Sequence, residues 1–241
     1  MNLSVGVISA DLLHLAEDLD RLAAAGVRTL HVDVMDGVFC PQLTVGPAFV
    51  AALPADEFAI DVHLMIDDPL DKLGAYVDAG ATAITFHVEA TRHAHRALQT
   101  LSGTGVARGV ALNPGTSLEV LAPLIDDIEQ LLVLAVNPGW PGQRFIPATA
   151  ARLAAARELI GERDIVLGVD GGVTRENVEY VASLRPDLIV AGSAVFADGA
   201  VLENARSMLA ATLNADDSRG STPKLALAAA KQGREHGSSS G

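Results

Sequence analysis

Leu30-His31-Val32-Asp33-Val34-Met35-Asp36-Gly37 alternates between two kinds of side chain. In an extended strand successive residues point to opposite faces, so His31, Asp33 and Met35 share one side while Val32 and Val34 share the other. Asp61-Val62-His63-Leu64-Met65 repeats the pattern and groups Asp61, His63 and Met65. Working outward from these two stretches, short apolar, β-branched runs recur at Leu3–Ile8, Thr29–Val34, Phe58–Met65, Ala83–Val88, Val106–Leu112, Gln130–Val136, Ile165–Val169 and Leu188–Ala191. Between them lie Ala/Leu-rich segments with helical spacing, at Asp11–Ala25, Pro69–Ala79, Ala148–Ile160 and Arg175–Ser183; Gly26 and Gly80 mark two helix ends.

Strands that alternate with helices pair in parallel through crossovers. An open doubly wound sheet would also alternate. Eight near-continuous apolar strands, at about 25 residues per unit, favour closure into a single α/β barrel of the (β/α)8 or TIM type. The 241 residues, 49% hydrophobic, suffice for one such core. The barrel is expected over residues 1–214. From Ala215 the composition turns to Asp-Asp-Ser-Arg-Gly-Ser-Thr-Pro and ends in Gly-Ser-Ser-Ser-Gly, so 215–241 reads as a disordered, solvated tail with no assigned role.

A net charge of −13 repels a phosphate backbone over the whole surface, which argues against nucleic acid or an anionic membrane as partner. No apolar run reaches the roughly 18 residues of a membrane span. With Cys40 as the single cysteine no internal disulfide can form, and a cytoplasmic address is expected.

In a barrel the chemistry gathers at the carboxyl ends of the strands. His31 and Asp33 end the second strand, His63 the third and Asp170 the seventh, so two imidazoles and two carboxylates are expected at one mouth. Burying them unpaired is costly, which leaves a hydrogen-bonded cluster or a metal site. Two nitrogen donors suit Zn²⁺, Fe²⁺, Mn²⁺ or Co²⁺ better than Mg²⁺, and one divalent ion is expected. Either carboxylate could also carry a proton. His87, ending the fourth strand, is read as a supporting residue. His14, His93, His95 and His236 are read as solvated.

Two glycine-rich turns, Asp170-Gly171-Gly172-Val173-Thr174 and Ala191-Gly192-Ser193-Ala194, follow the last two strands, where backbone N–H groups can face a phosphate. Asn137-Pro138-Gly139-Trp140-Pro141-Gly142-Gln143 is rich in turn formers and reads as a lid over substrate. The three lysines, Lys72, Lys224 and Lys231, lie in a helix and the tail, so Schiff-base chemistry has no residue to use.

Taken in order, Ile8-Ser9-Ala10-Asp11, His31–Gly37, Asp61–Met65, Ala111-Leu112-Asn113-Pro114, Val136-Asn137-Pro138-Gly139, Val169-Asp170-Gly171-Gly172 and Ala191-Gly192-Ser193-Ala194 resemble the ribulose-phosphate 3-epimerase family over about residues 3–210. The resemblance implies that His31, Asp33, His63 and Asp170 bind the metal and that Asp33 and Asp170 form the acid/base pair. It implies that a phosphorylated ketose is held by His63, Gly139, Trp140, Pro141, Gly142, Gly171, Gly172, Gly192 and Ser193. It further implies epimerisation at C3 of D-ribulose 5-phosphate through a cis-enediolate, with Met35 and Met65 as polarisable walls. A homo-oligomer is expected. The chain departs from the family pattern at Val5-Gly6, where Pro-Ser is usual, at Trp140-Pro141 in the lid, and at Leu134, where a methionine is usual. These departures keep open another ketose phosphate such as D-allulose 6-phosphate, a non-catalytic sugar-phosphate binder, and a lyase working through the same intermediate.

Overall fold

Strands that are apolar on both faces need cover on both, and a closed parallel barrel ringed by helices provides it. The computed structural model of the chain describes residues 1–217; residues 218–241, which hold most of the expected tail, lie outside the described residues. The eight apolar runs become β1 Asn2–Gly6, β2 Thr29–Met35, β3 Ala59–Met65, β4 Ala83–His87, β5 Ala107–Leu112, β6 Gln130–Leu134, β7 Val166–Asp170 and β8 Leu188–Ala191. Each pairs in parallel with its neighbour in sequence, and β8 returns to pair with β1, so the sheet closes in the order of the chain. The helices are α1 Leu15–Ala25, α2 Pro47–Ala52, α3 Leu73–Asp78, α4 Ala94–Leu101, α5 Thr149–Ile160, α6 Val178–Ser183, α7 Ser193–Phe196 and α8 Val201–Asp217.

Several ends differ from the sequence expectation for local reasons. β1 stops at Gly6 because Val7–Ser9 winds into a 3-10 turn. α1 begins at Leu15: the Asp11 carboxylate accepts from the Leu13 amide at 3.1 Å and meets His14 Nδ1 at 2.9 Å, which spends Asp11–His14 on an entry turn. Pro69–Ala79 divides into a 3-10 turn at Leu70–Lys72 and α3. The β5-to-β6 crossover is made of two 3-10 turns, Leu118–Leu121 and Ile125–Asp127. α8 continues to Asp217, three residues past the expected end of the barrel. Gly26 ends α1 at φ +98°, a conformation that costs glycine least, and its N–H closes the last turn on Ala23 O at 3.0 Å.

Most of the core lies between sheet and helices, where Val32, Val34, Ile60, Phe86 and Leu98 pack with Leu19 and Leu22 of α1. Burying each large apolar side chain contributes roughly 1.5–3 kcal/mol. The barrel interior is different. A small apolar group of Ala111, Leu132, Leu134 and Val190 lines one wall, while His31, Asp61, His63, Thr85, His87 and Gln130 are fully buried.

Candidate functional site

Parallel register sets the site. Along β2 and β3, His31 stands opposite Asp61, Asp33 opposite His63 and Met35 opposite Met65, and Asp170 ends β7. One donor atom from each of His31, Asp33, His63 and Asp170 lies within 4.8 Å of the others. The residues placed at the mouth by period-two reasoning are thus brought together. His31 Nε2 is 3.2 Å from Asp33 Oδ1 yet has no hydrogen-bond partner, and His63 Nδ1 is 3.0 Å from Asp33 Oδ1 and 3.7 Å from Asp170 Oδ2. Two imidazoles, two carboxylates and an orphaned buried nitrogen make a donor set that fits a divalent cation.

Burial and neighbouring charge pull these groups apart in proton affinity. Burial disfavours the His31 imidazolium, but Asp61 and Asp33 together overcome it and raise His31 well above the ordinary histidine value. Burial also works against an ionised Asp33, which His31 and His63 nevertheless hold below the usual carboxylate range. Asp170 is pushed up to about 7, first by burial and then by the charge of Asp33. Burial lowers His63.

Both histidines are backed from behind. His31 Nδ1 meets Asp61 Oδ2 at 2.8 Å, and Asp61 Oδ1 accepts from Gln130 Nε2 at 3.2 Å, which also donates to Thr85 Oγ1 at 3.1 Å. His63 Nε2 lies 2.9 Å from Nε2 of His87, whose ring is covered by Phe39 with centroids 4.8 Å apart. Burial pushes His87 down to about 4. Glu89, against the pull of its own burial, is held down to about 2 by His87, the Thr116 hydroxyl and the Asn113 amide. Sequence reading placed Asp61 on the inner face and His87 at the mouth. It gave Gln130, Glu89, Asn113 and Thr116 no part, because their contacts depend on which residues of distant strands face each other.

Above the cluster opens a cavity of about 870 Å³. Asp33, Asp170, Met35, Met65 and Leu134 line it, as do all of Gly139–Gly142, Gly171, Gly172, Gly192 and Ser193. The 137–143 loop is tied to itself by Gln143, whose Nε2 donates to the Asn137 and Trp140 carbonyls and whose Oε1 accepts from the Asn137 amide. Trp140 stands half-exposed at the rim. Gly172 has φ +67°, and a β-carbon there would lie 2.5 Å from the Phe145 amide nitrogen, so the turn and the end of the lid fit only with glycine. Gly6 lines the cavity without a side chain, and Arg144 is the one basic residue lining it among the described residues. Arg144 follows the lid directly and was not picked out from the sequence. Among the other histidines, His14 is exposed on its entry turn and His95 is half-exposed, while His236 lies outside the described residues.

A closed parallel barrel with a histidine–aspartate cluster and a cavity at the carboxyl ends of its strands defines an α/β-barrel enzyme. A family profile described as the ribulose-phosphate 3 epimerase family matches residues 2–196. Curated ribulose-phosphate 3-epimerases from Bacillus subtilis and Escherichia coli K12 are 38% identical over 194 residues and 42% identical over 195 residues, each covering 79% of this chain and 89% and 86% of the relative. The Rhodobacter capsulatus enzyme of the same name is 40% identical over 203 residues, 83% of this chain and 88% of its own. The chain belongs to the ribulose-phosphate 3-epimerase family and is an isomerase of the epimerase class. Solved structures agree on the fold. The 3-hexulose-6-phosphate synthase of Salmonella typhimurium superimposes with a TM-score of 0.69 at 18% identity, covering 89% of this chain and all of that one. The phosphoribosyl anthranilate isomerase of Thermus thermophilus gives 0.62 at 20%, over 89% of this chain and 99% of its own.

Proposed function

We propose that this chain inverts the configuration at C3 of a ketose phosphate, D-ribulose 5-phosphate being the preferred substrate, with Asp33 and Asp170 as the proton carriers. The observation behind this reading is the placement of the two carboxylates. They line one cavity from β2 and β7, strands well apart around the barrel, and their surroundings favour a base at Asp33 and an acid at Asp170. One carboxylate removes the C3 proton from one face of the sugar, and the other returns a proton to the opposite face of the planar enediolate. The two swap roles with the direction of reaction. His31, Asp33, His63 and Asp170 are the residues that would hold a divalent ion. When bound, that ion supplies positive charge for the oxygens that become negative as C3 loses its proton. Backbone groups of the Gly171–Gly172 and Gly192–Ser193 turns receive the phosphate. Trp140 and Pro141 cover the sugar, and the Met35 and Met65 thioethers flank it.

Gly6 lines the cavity where a serine is usual in the family, and D-allulose 6-phosphate is the second substrate to test. The deciding experiment incubates metal-loaded protein with each sugar in D₂O and follows C3 by NMR. Inversion with deuterium at C3 is expected, faster for the preferred sugar. Absence of both inversion and exchange with both sugars would overturn the reading, and a shorter carbon chain in the product would replace it with a lyase.

Metal uptake should release protons. The cation has to displace the proton that Asp61 and Asp33 keep on His31 and, below about pH 7, the proton on Asp170. Both groups hold their protons in acid, so affinity rises with pH, by about two log units per pH unit below neutrality and about one above it. Calorimetric titration in buffers of different ionisation enthalpy reads both the slope and the proton count. A pH-independent affinity would contradict it.

A further inference from the structure

His63 presents Nδ1 to Asp33 and Asp170, so its other nitrogen is free to be controlled from behind. That nitrogen, Nε2, faces Nε2 of His87 at 2.9 Å, with the two rings stacked at 27° and centroids 5.0 Å apart. Neither ring is exposed to solvent, so water cannot substitute for either partner. One proton fits between two such nitrogens, and the far side of His87 decides which one owns it. His87 Nδ1 is buried without a hydrogen-bond partner, and Glu89 Oε2 lies 3.3 Å from it, near enough to accept after a small turn of the carboxylate. Glu89 is fixed in turn: its Oε1 accepts from the Asn113 amide at 2.8 Å and from the Thr116 hydroxyl. Arg152 clamps the same loop by donating to the Asn113 and Thr116 carbonyls at 3.0 and 2.6 Å.

A carboxylate can only accept, so Glu89 places the His87 proton on Nδ1 and leaves His87 Nε2 as a lone pair. His63 must then carry its own proton on Nε2, which leaves Nδ1 as the lone pair facing the cluster. We propose that Glu89, acting through His87, is a positioning residue that sets the tautomer and ring orientation in which His63 ligates a divalent cation through Nδ1. This rests on the metal-site reading given above. The two histidine ligands are thereby backed by different means: His31 directly by Asp61, His63 through a second imidazole.

The test is Co²⁺ titration of the full-length protein, read by affinity and by the visible d–d spectrum. Glu89→Ala should weaken Co²⁺ binding about 10–100-fold and alter the spectrum, the range expected for groups that orient a metal ligand. Glu89→Gln keeps the size of the side chain and its bonds to the loop, but its single amide oxygen goes to the Asn113 amide and the Thr116 hydroxyl, so its NH2 faces His87 and the loss should match that of Glu89→Ala. Arg152→Met loosens the 113–116 loop that fixes Glu89 without touching His87 and should give a smaller loss in the same direction. If Glu89→Ala does not fold, His87→Leu, which removes the acceptor for His63 and leaves Glu89 with its loop, should show the same loss. Wild-type affinity in a folded Glu89→Ala, Glu89→Gln or His87→Leu variant, or a larger loss in Arg152→Met than in Glu89→Ala, would overturn the inference while leaving the metal site standing. Failure of the wild-type protein to take up Co²⁺ would overturn both.

Discussion

Asp33→Asn and Asp170→Asn should each lower turnover by about 10²–10⁴-fold, the usual worth of a positioned general acid or base, while the barrel stays folded. An amide is close in size to the carboxyl it replaces but neither accepts nor returns the C3 proton. The two losses should differ in kind. With one carboxylate left, a proton can still leave and return on one face of the sugar, so residual deuterium exchange without inversion is expected, in the epimer whose C3 proton faces the surviving group. Since both aspartates also stand among the candidate ligands, metal content is measured beside kcat. A variant that keeps its metal and loses inversion isolates the proton-transfer role. Inversion at the wild-type rate in either variant would end the two-carboxylate mechanism.

The second large effect is on stability. Asp61 is fully buried, and it partners His31 Nδ1 at 2.8 Å and Gln130 at 3.2 Å. Asp61→Ala leaves a buried imidazole and a buried amide without their acceptor. Breaking a buried charged pair by removing one partner costs about 3–5 kcal/mol, which for a chain of this size lowers Tm by roughly 6–20 °C. The effect carries a pH signature in the metal-free protein. Asp61 raises His31, so the stabilisation is complete below the ordinary histidine value and fades as pH rises through the raised one. The Tm gap between wild type and Asp61→Ala should therefore be widest in mildly acidic and neutral buffer and narrow towards alkaline pH. Thermal melts after chelation check it. A gap of under about 1 kcal/mol, the scale of an exposed ion pair, would mean that Asp61 contributes no more than a surface charge.

The fold was legible because barrel strands covered on both faces have a plain signature. All eight strands lie within two residues of the runs read from the sequence, and β1 ends at Gly6 because Val7–Ser9 turns into a 3-10 helix. The four cluster residues were legible for a related reason. Period-two alternation fixes the face of a side chain within its own strand, and the strand ends fix its height. Contacts across the barrel were not legible in that way. His63 stands opposite Thr85 in the β3/β4 ladder, so His87 reaches His63 from one pleat repeat further up, a relation set by register and barrel stagger. Gln130 reaches Asp61 and Thr85 from a strand on the far side. Glu89 could have been noticed in His87-Val88-Glu89, but its grip on Asn113 and Thr116 depends on a loop more than twenty residues later. The β5-to-β6 crossover is made of 3-10 turns, which lack the helical period that marked Asp11–Ala25, Pro69–Ala79, Ala148–Ile160 and Arg175–Ser183.

The polar column inside the barrel bears on how this scaffold can diversify. Gln130, Asp61 and His31 are joined by directional bonds in full burial, and each substitution there strands a partner. The rim residues Gly6, Leu134, Trp140, Pro141 and Arg144 line the cavity and take no part in that column. Inheritance and innovation are thereby assigned to different heights of one barrel: the centre is held constant by its own bonding, and new sugar preferences can be sampled at the mouth without reopening the question of whether the chain folds.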